Sequence, residues 1–255
     1  MQTIDLNADL GEGYGAWTMG DDAAMLAIVS SANVACGGHA GDPDTMAKTL
    51  QLARSHGVVT GAHPSYPDRH GFGRRRLPMT PAEIQRFTAA QIGALIAIGR
   101  LVGQPISYVK PHGALANVAA QDGAVADAII RAVHAVDPHL AILAISGTML
   151  EQVARQRGVR VFSEIFADRG YTPDGLLVPR SDPGAMIHDP DVAAKRLLGF
   201  FQNWQMPTVG GASVTLAAHS VCIHGDSPEA VAMAGHIRAS FTARGIGIAP
   251  FMSRG

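Results

Sequence analysis

The sequence predicts an α/β fold in which seven parallel strands close into a (β/α) barrel. Three observations lead to this prediction. Short apolar runs alternate with segments of helical spacing. The runs are almost uniformly apolar, which is typical of parallel strands buried on both faces. Reactive polar residues follow at least six of the runs, and this favours a closed barrel over a doubly wound open sheet.

Apolar and β-branched runs mark the predicted strands. They lie at residues 3–7, 31–36, 57–63, 106–110, 140–146, 159–166 and 213–223. Between them, spacings such as Val125, Ile129 and Val133 predict amphipathic helices. Helix starts are marked by a capping residue before proline, at Asp42-Pro43, Thr80-Pro81 with Glu83, Asp189-Pro190 and Ser227-Pro228. Glycines mark the helix ends at Gly57, Gly103 and Gly158.

Composition limits the class of protein. The 255 residues are 47% hydrophobic with a net charge of -1, which predicts a single domain over 1–255 with one large core and argues against nucleic-acid binding. No apolar run approaches the roughly 18 residues of a membrane span, and no leader pattern follows Met1, so a cytoplasmic protein is expected. Cys36 and Cys222 stand alone and are expected to be buried free thiols.

Polar residues collect directly after the predicted strands. They are Asn7, Asp9 and Glu12 after the first, His39 and Asp42 after the second, His63, Asp68 and Arg69 after the third, Lys110 and His112 after the fourth, Glu164, Asp168 and Arg169 in and after the sixth, and His224 and Asp226 after the seventh. In a barrel these strand ends surround one mouth. The sequence therefore predicts one shared site.

Two stretches have further chemical character. The segment 61–76 is rich in histidine, arginine, proline and glycine and suits a structured binding loop or lid. Lys110 lies in an otherwise apolar strand, where a buried ammonium requires a partner. His112 follows it closely and can transfer protons near neutral pH.

Six motifs together resemble the LamB/YcsF family, whose members are A subunits of ATP-dependent 5-oxoprolinases. The motifs are "DLNADLGEGYG", "NVACGGHAGDP", "GAHPSYPDRHGFGRR", "YVKPHGAL", "FADRGYTPDG" with "LVPR", and "IHGDSPEA". They run in family order from Asp5 to about Glu229. One departure is Ala116, where the family usually has tyrosine; it is expected to alter a pocket wall and to leave Lys110 and His112 untouched.

The resemblance implies an irregular seven-stranded TIM-like barrel of the glycoside hydrolase/deacetylase type. It also implies ATP-driven opening of 5-oxoproline to L-glutamate, together with two partner subunits, B and C. ATP binding follows from the resemblance alone, because the chain has no phosphate-binding G-x-x-x-x-G-K-[ST] loop and "GEGYG" at 11–15 is not a dinucleotide fingerprint. One of the partners could therefore hold part of the nucleotide.

The expected chemistry needs cations, carboxylates and a base. Catalytic roles are expected for His63, Lys110, His112, Glu164 and Asp168. Substrate or phosphate binding is expected of Asn7, His39, Tyr66, Arg74, Arg169, Tyr171, Arg180 and His224. Binding of Mg²⁺, or support of its ligands, is expected of Asp5, Asp9 and Glu12.

Three other interpretations fit the same residues. A metal-dependent amidohydrolase or deacetylase would hold zinc through Asp9, His39, His63 and His224. A non-catalytic subunit would present the ligand to its partners. A cysteine amidase would use Cys36 as nucleophile, although the sequence fixes no histidine partner for it.

Overall fold

A computed structural model describes residues 3–224 and 229–252 of the chain. The strands among these residues are β1 (Thr3–Leu10), β2 (Ser31–Ala35), β3 (Val59–His63), β4 (Ile106–Val109), β5 (Ala141–Ile145), β6 (Val161–Phe166), β7 (Gln205–Pro207), β8 (Ser213–Thr215), β9 (Ser220–Cys222) and β10 (Gly247–Ile248). The helices are α1 (Asp22–Leu26), α2 (Pro43–His56), α3 (Pro81–Val102), α4 (Gly113–Ala119), α5 (Gly123–Val136), α6 (Met149–Gln156), α7 (Pro190–Asn203) and α8 (Ala230–Ala243).

Seven parallel strands close into a ring. The order is β1-β2-β3-β4-β5-β6-β9, and β9 pairs again with β1. β1 closes the ring because it pairs with a different strand on each side. Asp5 to Asn7 pair with β9, and Asn7 to Leu10 pair with β2. β10 lies outside the ring against the first residues of β1. The prediction of a seven-stranded (β/α) barrel is confirmed.

The predicted strand over 213–223 is wrong as a single element. Its first part, β8, pairs antiparallel with β7 in a separate two-stranded sheet, and only β9 enters the barrel. Between the two, Ala217 donates to the Ser146 hydroxyl and His219 donates to the Ser163 carbonyl, so this segment is bonded locally. The whole run is apolar enough to resemble one strand, because composition carries no information on where pairing changes.

Helix starts follow the sequence signals. The side chains of Asp42 and Asp189 accept from the first-turn amides of α2 and α7, and Thr80 with Glu83 forms a reciprocal capping box at α3. Gly57 and Gly103 adopt left-handed conformations at the ends of α2 and α3, as predicted. The signal at Ser227-Pro228 and the predicted site residue Asp226 lie outside the described residues.

Much of the barrel interior is polar, and the two large apolar clusters lie outside it. Along β1, Leu6, Ala8 and Leu10 pack in an apolar cluster with α7 and α8. The alternate residues of β1 point inward because strand side chains alternate between faces. A second apolar cluster covers the barrel under α2 to α6. Tyr108 and Phe162 pack with Phe251 inside one end of the barrel, which we call the floor.

Asp5 is a buried carboxylate that accepts only hydroxyl hydrogen bonds among the described contacts. Ser30 and Ser31 donate to its Oδ1 over 2.7 and 2.6 Å, and Ser220 donates to Oδ2. Burial raises the pKa of Asp5 to about 6, against the smaller lowering effect of these three hydroxyls. The carboxylate is therefore harder to ionise in the folded protein than in the unfolded chain.

Replacing Asp5 by asparagine is expected to change how stability depends on pH. A pKa of about 6 in place of the ordinary 3.8 gives a contribution that is fully present below pH 3.8 and is lost as the pH rises through 6. Between pH 3.5 and 7 the wild type should lose about 3 kcal/mol of unfolding free energy relative to Asp5→Asn. Denaturant unfolding at both pH values measures the difference.

The exposed Asp44 on α2 provides the matched control. Asp44→Asn should leave the pH dependence of the wild type unchanged. Parallel stability curves for the wild type and Asp5→Asn would show that burial does not shift the titration of Asp5.

Candidate active site

The carboxyl ends of the barrel strands surround a cavity of about 330 Å³. The predicted site residues that line it are Asp9, His63, Arg74, Lys110, His112, Glu164, Arg169, Arg180 and His224. They come from the strands β1, β3 and β6 and from the loops that follow β3, β4, β6 and β9. The convergence at one mouth that the sequence predicts is thus present in the structure.

Lys110 is a buried cation in the wall of this cavity. Its Nζ lies 3.0 Å from Asp9 Oδ1 and 2.9 Å from Glu164 Oε1. It also donates to Asn7 Oδ1 over 3.2 Å and to Cys222 Sγ over 3.1 Å. Burial alone would lower the pKa of Lys110, but Asp9, Cys222 and Glu164 raise it well above its usual range. The ammonium is therefore charged at neutral pH.

The pKa values of the two carboxylates beside Lys110 are shifted in opposite directions. Burial works to raise both, but His63 and Lys110 hold the pKa of Asp9 well below its usual range. For Glu164 burial prevails over Lys110 and raises the pKa. Among the described residues, Glu164 Oε2 has no hydrogen-bond partner. Because their pKa values are pushed apart, the two carboxylates suit different catalytic roles. Glu164, with the raised pKa, is the better proton acceptor.

Three histidines pack against each other beside these carboxylates. His39 stacks on His112 with ring centroids 3.7 Å apart, and His63 stands nearly perpendicular to both. His39 Nε2 lies 2.9 Å from Glu12 Oε1. Burial lowers the pKa of His39 to about 3, and burial followed by the neighbouring imidazoles lowers that of His112 well below its usual range. These two rings are therefore neutral.

Asp168 and His224 form a separate pair on another side of the cavity. His224 Nδ1 lies 2.6 Å from Asp168 Oδ2, and the His224 ring stacks on Phe166. Burial would raise the pKa of Asp168, but His224, Arg180 and Arg169 lower it. Asp168 is therefore an ionised partner that orients His224, while His224 itself lines the cavity.

Three arginines line the same cavity. Arg169 is buried and anchored, since its guanidinium donates to the carbonyls of Val178 and Ala185. Burial lowers the pKa of Arg169 to about 10, so the residue stays charged. Arg74 and Arg180 are the other two. Apolar side chains complete the wall at Leu143, Ile145, Leu177 and Phe166, together with Ala116, which is a wall residue as expected.

Several predicted site residues lie away from the cavity. Tyr171 accepts from the Phe166 amide and packs in the outer apolar cluster, and Tyr66 packs in the second one. Asn7 is inside the barrel, where its amide donates to Glu164 and Ser220. Cys36 is buried, and burial raises the pKa of its thiol far above the ordinary value, which argues against a nucleophilic role.

The carboxylates expected to share a magnesium ion do not converge. Asp5 is held by serines at the amino-terminal end of β1, Asp9 by Lys110 and Asn33, and Glu12 by His39. This donor pattern does not fit an all-oxygen magnesium cage. The set Asp9, His39, His63 and His224, expected for zinc, also divides: His39 and His63 group with Glu12 and His112, whereas Asp9 and His224 group with Cys222.

Two residues that shape the site are absent from the predicted set. Cys222 touches the Lys110 ammonium, and Asn33 donates to both Asn7 and Asp9. Both occupy inward-facing positions of their strands. The alternation of side chains along a strand is therefore the sequence signal that could have identified them.

The predicted loop over 61–76 is ordered. Ala114 donates to the Gly73 carbonyl, and Arg75 pairs with Asp68. These contacts fix the loop against the start of α4, beside the cavity.

No helix in the described parts of the chain has the length and apolarity to cross a membrane.

The chain is similar to named proteins over nearly its whole length. Curated relatives include the A subunit of 5-oxoprolinase from Gluconobacter oxydans, 53% identical with 97% of each chain covered, and that from Azorhizobium caulinodans, 51% identical with 98% and 99% covered. A solved "Lactam Utilization Protein" from Thermus thermophilus is 42% identical, covers 97% of this chain and 99% of its own, and gives a TM-score of 0.92.

A more distant structure is similar in fold alone. The catalytic domain of a peptidoglycan N-acetylglucosamine deacetylase from Eubacterium rectale is 11% identical, covers all of this chain and 90% of its own, and gives a TM-score of 0.51. The deacetylase-type barrel expected from the sequence is confirmed. The LamB/YcsF family model matches residues 4–254, and the chain belongs to the LamB/YcsF family.

Proposed function

We propose that this chain is the A subunit of an ATP-dependent 5-oxoprolinase. The complex would open 5-oxo-L-proline to L-glutamate while hydrolysing ATP to ADP and phosphate, with two partner subunits, B and C, in the cytoplasm. The printed names of the relatives support this proposal. The observation that carries it is a charged Lys110 between Asp9 and Glu164 at a cavity lined by three arginines.

The cavity has the features that the substrate requires. 5-Oxoproline combines a carboxylate, a five-membered ring with two methylene groups and a lactam. The guanidiniums of Arg74, Arg169 and Arg180 can neutralise an anionic group. Leu143 and Leu177 offer an apolar surface to the methylenes. Lys110, Glu164 and His224 supply the polar groups for the lactam.

Residue roles follow from this arrangement. Water must add to the lactam carbon, its proton must leave, and the ring nitrogen must gain a proton as the C–N bond breaks. Glu164, with a raised pKa, takes the proton from water. The fixed charge of Lys110 stabilises the negative charge on the lactam oxygen and on the phosphoryl group that it receives. His224, oriented by Asp168, delivers a proton to the departing nitrogen. Either of the two facing histidines, His63 or His112, is a second candidate for proton transfer.

ATP makes the lactam a better electrophile by transferring its γ-phosphoryl group to the lactam oxygen and leaving as ADP. The first water opens the ring by C–N cleavage to an acyl phosphate, and a second water then releases phosphate and leaves glutamate. Mg²⁺ accompanies the nucleotide phosphates in this proposal, because Asp5, Asp9 and Glu12 do not converge on one magnesium site. The arginines then serve the substrate carboxylate and the transferring phosphoryl group.

The direct test is reconstitution. The purified chain is mixed with its partner subunits, and release of glutamate and ADP is followed while each component is omitted in turn. We expect oxoproline-dependent ADP release only when this chain is present. Equal glutamate formation in its absence would refute the proposal. Glutamate formation by the isolated chain without ATP would instead favour the stand-alone amidohydrolase.

Replacing Lys110 by methionine should lower kcat of the assembled enzyme at least about 100-fold, equivalent to about 2.7 kcal/mol of barrier. The reason is that the negative charge on the reacting lactam loses the Lys110 ammonium. Among the described residues, this is the cation that contacts both Asp9 and Glu164. The exposed Lys48 supplies the control Lys48→Met, expected to retain wild-type turnover.

Circular dichroism and unfolding of Lys110→Met show whether the unpaired carboxylates have destabilised the fold. Where the variant is folded, turnover within a factor of about ten of the wild type would contradict the catalytic role. It would favour a chain that only presents the ligand.

Replacing Arg180 by methionine should raise KM for oxoproline about tenfold or more and change kcat less. Arg180 is exposed yet lines the cavity, so the fold should tolerate the change while an anionic group loses a charge partner. Steady-state kinetics with varied oxoproline measure the split. Arg86→Met, at an exposed position on α3, should behave as wild type. An unchanged KM in Arg180→Met would remove Arg180 from substrate binding.

A further inference from the structure

Two buried histidines, His63 and His112, face each other through ring nitrogens. His112 Nδ1 lies 3.0 Å from His63 Nε2, which is hydrogen-bond distance. A hydrogen bond there needs one nitrogen to carry a proton. The opposite nitrogen of each ring determines whether that proton is available.

Both rings already use their N–H elsewhere. His63 Nδ1 lies 2.7 Å from the Lys110 carbonyl, and His112 Nε2 lies 2.8 Å from the Phe72 carbonyl. A carbonyl oxygen only accepts, so each of these nitrogens must donate. A neutral imidazole has one N–H. The facing nitrogens of His63 and His112 are therefore both lone pairs when the rings are neutral.

Facing lone pairs repel unless a shared proton or a metal cation lies between them. The separation of 3.0 Å is close to the roughly 3.3 Å expected for two nitrogens bound at about 2.0–2.1 Å to one tetrahedral ion. The two rings stand at 84° to each other, so they meet through these nitrogens and do not stack face to face. In a metal-bound histidine, one ring nitrogen binds the ion and the other usually donates its N–H to an acceptor such as a backbone carbonyl.

Carboxylates complete the surroundings of this point. Asp9 Oδ2 lies 3.3 Å from His63 Nε2, and Glu12 Oε1 lies 3.7 Å from His112 Nδ1. All four residues are buried. Ligand atoms of Glu12, His39, His63 and His112 lie within 4.8 Å of one another.

We propose that His63 Nε2 and His112 Nδ1, with a carboxylate oxygen of Glu12, bind one divalent transition-metal ion of the zinc class. Imidazole nitrogen favours such an ion over magnesium or calcium. Because Asp9, His63 and His112 line the cavity, the ion lies at its wall. The proposal depends on this geometry alone. With the ion bound, the facing nitrogens of His63 and His112 are occupied, so proton transfer in the proposed function then belongs to His224.

His39 is a positioning residue in this arrangement. Its ring lies parallel to His112 within 3° at 3.7 Å, so the two in-plane lone pairs cannot point at a common ion. Instead, His39 Nε2 lies 2.9 Å from Glu12 Oε1 and holds that carboxylate beside the site.

The neighbouring group of Asp9, Cys222 and His224 is a weaker candidate. The Lys110 ammonium already lies 3.0 Å from Asp9 Oδ1 and 3.1 Å from Cys222 Sγ, so that point holds a cation. Asp9 Oδ1 contacts Lys110, and Asp9 Oδ2 faces His63 from the side of that group.

The test uses the full chain purified without a histidine tag and stripped with a chelator. Co²⁺ is titrated while its visible absorption is followed, and Zn²⁺ competes for the same site. We expect about one ion per chain with a dissociation constant below about 1 μM. The variants His63→Gln and His112→Asn place an amide at the former ring nitrogen, so a hydrogen bond can replace the ion. Each should lose at least about 100-fold in affinity.

His134→Ala, at an exposed position on α5, is the matched control and should bind as wild type. Absence of uptake by the wild type at about 100 μM metal, or equal uptake by all four proteins, would overturn the proposal. ¹⁵N NMR of the wild-type imidazoles provides a measurement that needs no variant. Signals of His63 and His112 should shift on adding Zn²⁺, whereas an unchanged pair sharing one proton would overturn the metal site.

Discussion

The buried ammonium of Lys110 is the interaction on which the rest of the structure depends. An unpaired charge inside a protein costs several kcal/mol, so Lys110 on the fourth strand's end requires Asp9 from β1 and Glu164 from β6. β1 and β6 do not pair with each other; both pair with β9. Only a closed ring brings the two carboxylates to one lysine. Closure of the barrel and assembly of the site are therefore the same structural requirement.

This requirement explains where the apolar core lies. A barrel whose interior holds charged and amide groups gains little hydrophobic stabilisation from that interior. Burial occurs instead between the outer faces of the strands and the helices, at residues such as Leu6 and Ile142. The floor is the apolar exception, closed by Tyr108 and Phe251. Polar groups inside are tolerated because Asn33 and Asn7 satisfy one another and the carboxylates.

Local pattern in the sequence predicted much of the fold, whereas features that depend on strand pairing were missed. The strand alternation, the caps at Asp42 and Thr80 and the common mouth of the site all follow from composition and order. The separation of β8 from β9 did not, since an apolar run does not show its partner strand. Asp5 and Asp9 look equivalent in the sequence, yet four residues of strand place them at different depths in the barrel, with serines around one and Lys110 beside the other.

Asp9 contacts both the Lys110 ammonium and the His63 ring. Its Oδ1 contacts the Lys110 ammonium at 3.0 Å, and its Oδ2 lies 3.3 Å from His63. His63 in turn bonds to the Lys110 backbone carbonyl, so the strand that carries the lysine also fixes the ring that faces the carboxylate. Phe72, in a left-handed conformation at φ 53°, supplies the carbonyl that fixes His112. Backbone strain in a non-glycine residue persists only where its surroundings enforce it. The loop after β3 is therefore part of the site's framework, and the orientation of one imidazole depends on how that loop packs.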